Sequence, residues 1–234
     1  MKYTYFFVFM LLTFISCKKV RSVDSSAEKS MNSISVSDST VIVDCKVYTF
    51  KDVNERADTL KKYFELAKTI DDKSICDRVI FYSFPDSFDG MFKLFGFDKV
   101  SKAAAPLYSI PFEDNVITYF GSIQSIPKDA YYDKYINICV GGYWDADNIR
   151  QAFGFHKRLS DDTKSVCEVL SKRTDKDILS VFRFIFDGPH PKNDVNMLIY
   201  KDLSAKLKGV DSRLVELLKT AYDKVLLQDD GHGK

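Results

Sequence analysis

The chain has 234 residues, 45% of them hydrophobic and 29% charged, which gives one globular domain enough apolar mass for a core. Its 34 basic and 33 acidic residues leave a net charge of +1. No basic block or stripe stands out, which argues against a dedicated nucleic-acid binder.

The first element is an apolar run over residues 5–15, YFFVFMLLTFI, behind the single basic residue Lys2. Eleven residues are too few to span a bilayer, which takes about 20, but they suit the h-region of a signal peptide. No A-x-A-like ending follows. Ser16-Cys17 with Lys18-Lys19 behind it resembles the lipobox of bacterial lipoproteins, with Phe14 where that family usually has Leu. The resemblance covers about the first 17 residues. It implies cleavage before Cys17, acylation of the Cys17 thiol and attachment to the membrane through lipid. Cleavage would remove residues 1–16 and with them only Lys2, leaving 33 basic and 33 acidic residues. Lys18 rather than Asp in the second mature position resembles the sorting pattern of enterobacterial outer-membrane lipoproteins, so the expected address is the cell envelope, the outer membrane before the inner.

Residues 17–40 read as the lipidated cysteine and a tether. Eight of the 23 residues 18–40 are Ser and none is aromatic. Such a segment buries too little apolar surface to order itself, and as a random coil it reaches about 25–30 Å. Residues 41–228 are then expected to form a single helical domain, with 229–234 as a frayed tail. Residues 41–50, VIVDCKVYTF, suit a short strand or an extended lead-in docked on the body.

Thr49 and Asp52 have the spacing of a capping box, and Leu60, Tyr63, Phe64 and Ala67 follow on one helical face. A second run, 75–84, must end before Pro85. Asp86 is placed to cap a short helix striped by Phe88, Met91, Phe92 and Phe95, which Gly96 ends. Residues 98–111 read as an irregular connection. Helical spacing resumes with Phe112, Val116, Phe120 and Ile123, and again with Tyr131, Tyr132, Tyr135, Ile136 and Cys139. Gly141-Gly142 stops that run. Asp145 then suits the cap of a helix striped by Ile149, Ala152, Phe153 and His156. Four further helices are expected over about 162–172, 175–187 with Thr174 and Asp177 as a capping box, 192–208 and 211–227. Short connections favour antiparallel neighbours, so 128–158, 162–187 and 192–227 suit three stacked hairpins. The fold class is all-α: a helical bundle with stacked helical hairpins.

Chemistry is sparse. Gly-x-Ser-x-Gly, Walker A, His-Glu-x-x-His and G-x-G-x-x-G motifs are absent, so no cofactor is implied. Besides Cys17, the cysteines Cys45, Cys76, Cys139 and Cys167 lack the spacing of a zinc site. They suit either buried thiols or one or two disulfides, with three connectivities open. Two loops stand out. Asp187-Gly188-Pro189-His190-Pro191 presents a histidine between two prolines, near an aspartate. Gly141-Gly142-Tyr143-Trp144-Asp145-Ala146-Asp147-Asn148 clusters Asp145 and Asp147, but lacks the later Glu of a calcium loop and reads more simply as a turn with a helix cap.

The body as a whole resembles the uncharacterised helical lipoproteins of gram-negative bacteria, a likeness that carries no residue roles. The expected function is a lipid-anchored, non-enzymatic binding domain with a protein partner, of which an immunity or inhibitor protein is one version. A hydrolase built on Asp145, Asp147, Asp187 and His190 is the rival. A carrier of small apolar ligands, using the Phe88–Phe95 stripe, is the third reading.

Overall fold

The computed structural model describes residues 48–108, 115–144, 153–188 and 190–227. Cys17, the tether, Cys45, residues 41–47 of the strand or lead-in expected over 41–50, and Asp145 and Asp147 lie outside them. The described residues form an all-α helical bundle of ten helices with one two-stranded hairpin.

Residues 48–50 belong to no helix or strand. They dock on the body, where Tyr48 stacks on Tyr82 and Arg56 lies over the Phe50 ring. Helix α1 (Val53–Ala67) is capped by Asp52, whose Oδ1 accepts from the Asn54 and Glu55 N–H groups at 2.9 and 3.0 Å. Glu55 in turn accepts from the Lys51 N–H at 2.5 Å. The capping box is therefore Asp52/Glu55, not Thr49/Asp52. Both pairs have the right spacing, but only the later one encloses the N–H groups left open by the first turn. Leu60, Phe64 and Ala67 are buried.

Helix α2 (Ser74–Ser83) stops where Phe84, ahead of Pro85, turns extended with ψ 145°. Helix α3 (Phe88–Phe95) is capped by Ser87, which accepts from the Gly90 N–H at 3.2 Å. Asp86, the expected cap, is one residue too early and pairs instead with Lys134 at 2.8 Å. The connection after Gly96 folds back as a hairpin, β1 (Phe97–Asp98) against β2 (Ala103–Ala104), with Phe97 opposite Ala104.

Helix α4 (Val116–Ser122) is capped by Asn115, and α5 (Lys128–Cys139) follows Pro127. Tyr131, Tyr132, Tyr135, Ile136 and Cys139 face inward as their spacing predicts. The helix expected to carry Phe153 and His156 on one stripe is interrupted. Gly154 is left-handed, with φ 55° and ψ 38°, so Phe153 precedes the break and His156 belongs to α6 (Phe155–Asp161). Helices α7 (Thr163–Leu170), α8 (Asp175–Phe186), α9 (Asp194–Lys208) and α10 (Ser212–Leu227) complete the chain. Thr174 caps α8 as expected: its Oγ1 accepts from the Asp177 N–H and donates to the Asp177 carboxylate.

One core cluster runs through these helices. At its centre Phe84 stacks on Phe120 with ring centroids 4.0 Å apart, and Tyr135 on Phe153 at 4.1 Å. Helices α9 and α10 pair as a hairpin, while α10 packs most broadly on α8 and α5 packs on α7. Neighbours in space are thus only partly neighbours in sequence.

The stripe residues Phe88, Met91 and Phe95 are buried. Phe88 packs on Tyr143 and Phe184, and Phe95 on Phe84, so this ring-rich face is filled by the protein's own side chains. Lys134 is 8% exposed. Its Nζ donates to the Phe84 carbonyl at 2.8 Å, pairs with Asp86 and lies 5.0 Å from the Phe81 ring centre. Burial lowers its pKa below the ordinary value, with Asp86 opposing. Cys76, Cys139 and Cys167 are buried free thiols. Among the described residues no helix is long and apolar enough to cross a membrane.

Candidate functional site

The two distinctive loops meet. Gly141, in the left-handed region at φ 75°, turns the chain at the end of α5, and its N–H donates to Ser180 Oγ of α8 at 2.8 Å. Gly142 lies against the Phe184 ring, so close that a Cβ there would stand 2.7 Å from a ring carbon. That close approach brings Trp144 to the end of α8, where its N–H donates to Asp187 Oδ2 at 2.8 Å. The same oxygen lies 3.5 Å from the Arg183 guanidinium.

Asp187, one of the four candidate residues of the hydrolase reading, thus holds one loop to the other with its carboxylate only 14% exposed. Asp145 follows Trp144 directly in the chain, but its side chain and that of Asp147 lie outside the described residues. His190 is exposed, and its carbonyl accepts from the Asn193 side chain. His156 is a half-buried side chain on α6.

Two asparagines that carry no catalytic signature organise the second loop. Asn193 caps α9, its Oδ1 accepting from the Asn196 N–H at 2.7 Å. Asn196, 4% exposed, donates from its side chain to the Phe186 carbonyl at 2.9 Å and to the Pro191 carbonyl at 3.2 Å. These bonds satisfy the end of α8 and the start of α9 together, because a helix end buried without partners is costly. The spacing of two asparagines around the first turn of an apolar-periodic helix was the available signal.

Beside the loop, between α6, α8 and α9, lies a half-open groove of about 270 Å³. Phe155, His156, Phe184, Ile185, Val195, Asn196 and Ile199 line it. Its walls are mostly apolar, with one imidazole and one amide that is already committed to the backbone. Such a surface can bind an apolar group and orient it through a few polar contacts. Among the described residues no cluster of three or more His, Cys, Asp or Glu could hold a metal ion.

Buried thiols offer no nucleophile here. Burial raises the pKa of Cys76, pushes Cys167 up to about 11 and holds Cys139 well above the ordinary range. Comparison of the chain with models of known protein families, with curated proteins and with solved structures finds no match.

Proposed function

We propose that the protein is a lipid-anchored envelope protein whose helical body binds a protein partner and has no catalytic role. The observation that carries the binding reading is the groove between α6, α8 and α9, mostly apolar and lined in part by exposed Val195. Asp187 supports it from the other side, because its carboxylate pins Trp144 and meets Arg183 instead of facing open space. The anchor rests on the apolar run 5–15 and on Ser16-Cys17, and the outer membrane is its proposed site. The test is the native size of the full chain gently solubilised from its membrane. The reading expects a complex larger than a single chain; a single-chain species alone contradicts it.

A second reading, a hydrolase, is favoured by one observation: the Trp144 backbone N–H bonds to Asp187, which ties the residue before Asp145 to the loop that carries His190. It requires hydrolytic turnover that His190→Ala abolishes while Cys17→Ser spares it. Turnover that is indifferent to His190→Ala removes this reading.

A further inference from the structure

We draw no further inference here: the strongest candidate, the half-open groove between α6, α8 and α9 with exposed Val195 on its wall, is an unpartnered apolar surface, and nothing in the structure shows what covers it.

Discussion

At the scale of single residues, the buried polar side chains matter more than the exposed acids. Asn196→Leu removes two hydrogen bonds and leaves the Phe186 and Pro191 carbonyls without their donor. Leaving buried acceptors unpaired costs about 1–3 kcal/mol each, so the variant should lose stability by at least that much in urea unfolding. Asn193→Ala, which removes only a helix cap, should cost about 1 kcal/mol. Lys134 makes a prediction of opposite character. Its pKa lies below the ordinary 10.5 because burial disfavours the charge. Below the folded value, holding the proton costs the native state stability. Between the folded value and 10.5 the unfolded chain binds the proton and the native one does not, so stability rises with pH there. Wild-type protein should therefore gain stability relative to Lys134→Met as pH rises toward 10.5, measured by chemical unfolding at several pH values. An unchanged difference would contradict the account of Lys134.

Elements are joined by backbone constraints that specific glycines permit. Gly142→Ala places a Cβ 2.7 Å from the Phe184 ring, a contact that must push α8 or the loop aside. Overpacking of this kind costs about 1–3 kcal/mol, and the Trp144 fluorescence should shift as the loop leaves Asp187. Gly141→Ala meets open space instead, and only its φ of 75° opposes it, so its cost should be smaller, about 1 kcal/mol.

The helices themselves were legible because apolar spacing, Pro85, Pro127 and the Thr174 cap are local signals. What escaped was competition between equal local signals, as where Asp52 rather than Thr49 caps α1 and Ser87 rather than Asp86 caps α3. The break at Gly154 has no local signal, because a glycine within a good stripe does not announce a left-handed conformation. The site was legible in part. Asp187 and Gly141-Gly142 were seen as unusual, but their purpose is a long-range contact between residues 144 and 187, which no local pattern encodes. A lysine in a helical run normally reads as solvent-facing, and only tertiary packing sets Lys134 against the Phe81 ring.

For the whole molecule, three of the cysteines report on the fold. Cys76, Cys139 and Cys167 are free and buried, and burial raises all three thiols. They should resist a thiol reagent at neutral pH in the native state and react together on unfolding, in a single cooperative step if the body unfolds as one unit. Early reaction of one of them would mark local opening around its helix.

The body thus supplies a surface, and the proposed anchor supplies its location. The most direct measurement of that account is the intact mass and N-terminal peptide of the chain extracted from its membrane. The account predicts that residues 1–16 are gone and that Cys17 is the first residue, carrying diacylglycerol on its sulfur. A chain that keeps Met1, or one that begins elsewhere with Cys17 unmodified, would contradict it.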